Sequence, residues 1–314
     1  MAAGDDKEIY FIRKDLSGGQ NNRIHGSNIP DNQATVLLNA DIGTPAQTSK
    51  RPGITLVEDV SNNAGTGLFG FEPDGGTNVL LMTEGTNLRS WPGSATFTTR
   101  KSDFTTNKLT TMIKVGEQGN NDVVLVSNGT DNVFRMTQAF SFADLGNTNA
   151  SPPLTTVMLY YRNRVFALKS NLLYWSTSFP ADYSTAFDRT TNAFRIPVGT
   201  ERALIGIRDS GIIVIGNDQV WGINPSSTPA ATDLPEKILD IGCAAGKTAV
   251  QVGDDIYFLA YDGVRGVFRT QQDKLQQGAS YPLSYVLREE VESLSWGFIT
   301  KACSVYFDNK YFII

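Results

Sequence analysis

Histidine is almost missing from this chain. His25 is the single one in 314 residues, so a histidine-based metal cluster is excluded by count. A Ser-His-Asp or Cys-His centre would have to be built on that one ring, and no G-x-S-x-G nucleophile elbow accompanies it. Cysteine is nearly as scarce: Cys243 and Cys303 lie far apart and form no C-x-x-C pair. They read as small core residues, with neither a disulfide framework nor a zinc site indicated. Charged residues make up only 19%, and the formal net charge is -5, which argues against a surface built to neutralise phosphates. An acidic wall is compatible with DNA sliding past without specific binding. No apolar run reaches the ~18 residues that a membrane helix needs, and residues 1–14 lack the apolar segment of a secretory leader. The expectation is a product made in the cytoplasm with no membrane segment.

What is present is a dense supply of turn formers, 29 glycines among many Asn, Thr and Ser, with 40% apolar residues for a core. The apolar residues recur in short runs: VLLMTE from Val79, VVLVSN from Val123, VFALKS from Val165, IIVIGN from Ile212, IYFLAY from Ile256 and YFII from Tyr311. Their starts are 44, 42, 47, 44 and 55 residues apart. Such a period is that of a four-stranded propeller blade. Near-continuous apolarity is expected of a strand buried on both faces, between two neighbouring blades. The turn signals that follow, such as Glu84-Gly85, Asn128-Gly129 and Asp262-Gly263, suit tight hairpins. The expected fold class is therefore all-β, a β-propeller with about six blades over residues 56–314.

Each third strand carries one bulky ring: Trp91, Phe134, Trp175, Trp221 and Phe268. One ring per repeat reads as packing between blades, in preference to a ligand-stacking surface. The longest interval holds PLSYVLREEVESLSW from Pro282, with Leu283, Val286, Leu287, Val291 and Leu294 at helical spacing, and predicts a short helical insertion. The sequence stops inside the second strand of a sixth blade. Either an N-terminal strand such as Ile54 to Val57 closes that blade or the natural protein continues, and the reading leans to the second. Residues 1–55 lack the repeat and are expected to form an N-terminal arm.

Other chemistry was weighed. Asp182, Asp188, Glu201, Asp254 and Asp255 are candidates for a glycosidase carboxylate pair, but most fall in turns, where Asp bonds its own backbone. Gly242-Cys-Ala-Ala-Gly246-Lys247-Thr248 is one residue short of a phosphate-binding loop and is followed by strand residues, so it reads as a chance match. Asn128 to Asn132 and Asp254-Asp255 could offer oxygens to calcium, but hairpin turns explain them equally well.

Asp15-Leu16-Ser17-Gly18-Gly19, the stretch Ile29 to Gln33, Asn39, and Lys50-Arg51-Pro52-Gly53 resemble the opening of bacteriophage virion β-propeller proteins. That group includes the tail-nozzle and head-to-tail hub proteins of short-tailed phages. LLYWSTSFPADYS from Leu172, FRIPVGTERALIGIRDSGIIVIGNDQVWGI from Phe194 and DIGCAAGKTAVQVGDDIYFLAYDGVRGVF from Asp240 resemble its blade sequences. The likeness covers most of the chain, although members of the group usually run longer. It implies a structural protein, not an enzyme, with no cofactor or metal. Such a protein would form a homo-oligomeric ring, a hexamer, in the tail or neck of the virion. Its partners would be portal, adaptor or tail subunits, with genome DNA passing through, and assembly would take place in the bacterial host cytoplasm. Independently of the family, Gly18-Gly19 permits a sharp backbone turn, and Pro52 biases Arg51 towards extended backbone. The alternative reading is a host-surface carbohydrate-binding or glycoside-cleaving propeller.

Overall fold

The computed structural model describes residues 16, 18, 20–25, 28–37, 40–44, 47–50, 63–94, 96–207, 211–230, 233–277 and 280–314, with backbone alone for 40–50. A hairpin of β1 (Ala40–Thr44) and β2 (Gln47–Lys50) precedes the repeats. The first blade is β3 (Gly65–Phe71), β4 (Val79–Glu84), β5 (Asn87–Trp91) and β6 (Thr98–Lys101). The second is β7 (Thr111–Glu117), β8 (Asn120–Ser127), β9 (Phe134–Met136) and β10 (Phe142–Asp144). The third is β11 (Met158–Tyr161), β12 (Arg164–Lys169), β13 (Leu172–Trp175) and β14 (Ala193–Arg195). The fourth is β15 (Glu201–Ile207), β16 (Gly211–Gly216), β17 (Val220–Ile223) and β18 (Glu236–Leu239). The fifth has three strands, β19 (Val250–Val252), β20 (Asp255–Ala260) and β21 (Gly263–Gly266), and runs on into helix α1 (Val267–Gln277). Helix α2 (Arg288–Glu292) lies between two short 3-10 turns, and a two-stranded sheet of β22 (Ser304–Phe307) and β23 (Lys310–Ile313) follows. Within each blade the described strands pair as an antiparallel meander, and the protein is a β-propeller of five blades.

The apolar runs become second strands because each feeds two cores. In β8, Val123 and Leu125 face the third blade with Met158 and Val165, while Val124 and Val126 face the first with Phe71 and Leu81. In β16, Ile212 and Val214 meet Phe166 and Trp175, while Ile213 and Ile215 meet Ile256 and Phe258. All six residues of β16 are buried. At its end, a Cβ on Gly216 would lie 2.0 Å from the carbonyl oxygen of Val198, so only a hydrogen fits there.

Between blades, backbone and hydroxyl groups take the hydrogen bonds that the sheets leave free. Thr110 N donates to Thr66 O at 2.9 Å, Thr111 Oγ1 to Thr156 O at 2.7 Å and Ser127 Oγ to Thr155 O at 2.7 Å. Inside the second blade, Glu117 is 1% exposed and accepts from Arg135 Nε at 2.7 and 2.9 Å and from Arg135 Nη2. Tight hairpins use pairs of residues with positive φ, such as Ser170 (53°) with Asn171 (62°) and Asp308 (49°) with Asn309 (56°).

Several expectations are corrected. Five blades are formed among the described residues, and where a sixth was expected the run from Tyr311 is the second strand of a separate two-stranded sheet. That sheet packs beside the fifth blade, where Ser304 Oγ and Tyr311 Oη donate to Thr248 O at 2.8 and 2.6 Å. Phe268 is on no strand, since it lies in the first turn of α1. The helix starts there because the Asp255 carboxylate, at the beginning of β20, accepts from the amides of Phe268 (2.9 Å) and Arg269 (3.2 Å). Cys243 is buried, but Cys303, expected in the core, is exposed: it precedes β22, pairs with Ile314 through the backbone and shares the exposed side of the β22–β23 sheet. The expected insertion after Pro282 contains α2 as a helix of five residues only. The proposed closing strand, Ile54 to Val57, lies outside the described residues. No helix among the described residues is long and apolar enough to cross a membrane.

Candidate functional site

The first strands of successive blades surround a cavity of about 300 Å³. Thr111 of β7, Met158 of β11 and Glu201 to Ile205 of β15 line it, and Lys247 stands in it. Lys247 belongs to the Gly-Lys-Thr sequence set aside as a chance match to a phosphate loop. Here that sequence is a single 3-10 turn, Gly246–Thr248, leading into β19. A side chain at position 246 would place its Cβ 2.0 Å from the carbonyl oxygen of Arg202, so glycine lets the turn lie against β15. Thr248 is buried and its hydroxyl donates to Ala245 O at 2.6 Å. Lys247 is left pointing across the cavity, where Nζ donates to Thr110 O at 3.1 Å and Thr111 Oγ1 at 2.7 Å.

Lys247 has two aspects. It keeps an exposed surface in the cavity, yet its amine is crowded by protein. Loss of hydration by this burial pulls its pKa down to about 8, against an opposing pull from Cys303. Glu201 and Arg202, neighbours on β15, line the same cavity. Glu201 is tethered, accepting from Asn171 N at 2.8 Å.

The other candidate carboxylates hold turns. Asp182 caps the 3-10 turn at Tyr183, accepting from Ser184 N at 2.8 Å and Ser184 Oγ at 2.7 Å, and these bonds lower its pKa. Asp188 accepts from Thr191 Oγ1 (2.7 Å) and Thr190 N (3.0 Å), with the same consequence. Asp255 anchors α1, and Asp254 lines a shallow open cleft next to it. In the loop 128–132, whose oxygens could have suited calcium, Asn128 Oδ1 accepts from the amides of Thr130 and Asp131 at 3.0 and 2.8 Å, a turn closing on itself. Among the described residues no group of three or more His, Cys, Asp or Glu is placed to hold a metal.

Of the ring residues, Trp91 on β5 stacks on Phe97 with centroids 5.9 Å apart, and Phe134 on β9 meets Phe104 edge-on at 5.5 Å. Trp175 on β13 stacks on Phe194 at 4.3 Å within the core between blades three and four. Trp221 on β17 packs against that same core, and Phe268 packs from α1 against the core between blades four and five. Of the residues that carry the family likeness, Gly18 donates its amide to Asn32 O at 2.9 Å. Lys50 ends β2, while Gly19, Asn39, Arg51, Pro52 and Gly53 lie outside the described residues.

The fold defines the class as β-propeller proteins. No protein-family model matches the chain, and no curated protein matches it. Among solved structures it is similar to the extracellular domain of a putative hybrid two-component system from B. thetaiotaomicron, at 10% identity and a TM-score of 0.44 over 66% of this chain and 26% of that one. It is also similar to BBS1N in complex with ARL6DN, at 12% identity and 0.39 over 71% and 66%. PorZ of the Porphyromonas gingivalis type-IX secretion system is similar at 14% identity and 0.36 over 60% and 25%. The chain thus spans about a quarter of the first and third of these proteins. These likenesses carry no functional argument.

Proposed function

We propose that this chain is a structural subunit of a bacteriophage tail or head-to-tail junction, without enzymatic activity or cofactor. In this reading it forms a homo-oligomeric, hexameric ring in the virion around the DNA channel, with portal, adaptor or tail subunits as neighbours. The β22–β23 sheet then belongs to a sixth blade, and residues 1–55 form an arm laid against the propeller. The sequence likeness of the blade segments supports the family.

The observation that carries the reading is apolar surface on a stiff frame. Val305, Phe307, Phe312 and Ile314 share the outward face of the β22–β23 sheet and are 52%, 72%, 39% and 87% exposed. On the first blade Leu68 is 66% exposed. Patches of this kind mark surfaces that assembly covers. Quantitative mass spectrometry of purified particles from the source virus tests it. A fixed stoichiometric ratio to the portal protein supports the ring; absence of the protein from particles overturns it.

A further inference from the structure

A second cleft, of about 380 Å³, opens between the fifth blade and the helical segment that follows it. Its size falls at the lower end of ligand pockets, roughly 300–1,000 Å³. Two of its walls are open aromatic rings: Tyr261 is 56% exposed and Tyr281 is 62% exposed. Neither ring is loose. Tyr261 stacks with Trp296 at 5.8 Å, and Tyr281 lies against Tyr285 at 4.6 Å. Tyr285 is braced in turn by the guanidinium of Arg23, 3.3 Å from its ring centre. The N-terminal segment adds to this brace, as Asn22 N donates to Val286 O at 3.2 Å.

Polar groups are placed with equal care at the same cleft. Arg265 has a side chain only 5% exposed, and its Nε donates to both carboxylate oxygens of Asp262, at 2.9 and 3.2 Å. The same guanidinium donates to Ser280 Oγ at 3.3 Å. Asp262 is therefore fixed in direction while 53% of its side chain stays open to solvent, with lone pairs to spare. On the facing wall Arg288 Nε donates to Glu292 Oε1 at 2.6 Å, and both side chains are exposed. Two acids balance two bases, so the cleft selects neither a cation nor an anion.

We propose that this cleft binds a sugar ring of a neutral glycan. A pyranose has an apolar face of C–H bonds and an equator of hydroxyls. The face stacks on Tyr281 or Tyr261, hydroxyls donate to Asp262, and others accept from Arg288. A quaternary ammonium would meet two guanidinium groups, and an acidic sugar would meet two carboxylates. The inference is independent of the ring assembly proposed above, since it concerns a surface cleft within a single copy.

The test is binding of the fluorophore-labelled full chain to an immobilised array of neutral hexose and N-acetylhexosamine oligosaccharides, acidic glycans and a choline-bearing surface, followed by calorimetry with the best soluble hit. The expected result is a neutral hit whose affinity falls roughly tenfold in Tyr281→Ala and further in the Tyr261→Ala/Tyr281→Ala double variant. Both tyrosines are exposed, so the melting temperature of the variants should stay close to that of the parent. Three results would overturn the proposal: no neutral hit, a preference for acidic glycans or choline, or a neutral hit that survives the double substitution.

Discussion

Replacing Arg135 by alanine should destabilise the protein by about 3–5 kcal/mol, the range for breaking a buried ion pair from one side. Glu117 is 1% exposed and Arg135 17%, and three hydrogen bonds join them. Without the guanidinium the carboxylate keeps its burial and loses the three charge-assisted hydrogen bonds that Arg135 gives it. At roughly 2 °C per kcal/mol for a chain of this size, the melting temperature should fall by about 6–10 °C. The double variant Glu117→Gln/Arg135→Met removes both charges and should recover most of the loss, because an apolar replacement of a buried pair is often neutral. Arg288→Ala serves as the contrast, since its pair with Glu292 is 67% and 60% exposed and joins residues four apart on a helix. That change should shift stability by no more than about 0.5 kcal/mol. Urea unfolding followed by circular dichroism measures all three. A loss below about 1 kcal/mol in Arg135→Ala, or equal losses in Arg135→Ala and the double variant, would refute the reasoning.

Three further outcomes are expected. Leu125→Ala, at a fully buried position between blades two and three, should lower unfolding free energy by about 2–5 kcal/mol in the same assay. Gly246→Ala drives a methyl group against the Arg202 carbonyl and should lower stability by about 1–3 kcal/mol, measured by calorimetry. For Lys247 the folded pKa lies near 8, below its ordinary 10.5, so the unfolded chain holds the proton more tightly between those values. Stability relative to Lys247→Met should therefore rise as pH climbs from about 8 towards 10.5, and an NMR titration of the ¹³C-methylated amine should give a midpoint near 8. A midpoint near 10.5, the ordinary lysine value, would refute this.

The second strands were legible because burial on both faces leaves a mark inside a few consecutive residues. Val123 to Val126 and Ile212 to Ile215 could be placed from their own chemistry. Phe268 could not, because the first turn of its helix is held by Asp255, thirteen residues earlier on another element. Its own stretch, VFRTQQDKLQQ, has too few apolar residues to announce a buried helix. Cys303 was misread for a similar reason: which face of β22 turns outward is decided by where Tyr311 and Ser304 find Thr248. The Lys247 cavity was visible in the sequence only as Gly-Lys-Thr, a pattern with a better-known meaning. Its present surroundings, Thr110 and Arg202, come from other blades and leave no local trace. The aromatic cleft was hidden likewise, since Tyr261, Tyr281 and Trp296 meet only when the helical segment folds back on the fifth blade.

A strand with one wet face takes its register from water, because a slip of one residue turns its oily side outward. Strand β16 has no wet face. A slip would exchange Ile212 and Val214 with Ile213 and Ile215, apolar for apolar, and the solvent would not object. What indexes this strand is the hydrogen of Gly216 beneath the Val198 carbonyl. Neither Ile215 nor Asn217 fits that notch, so the frame of the whole fourth blade is counted from a side chain that is not there.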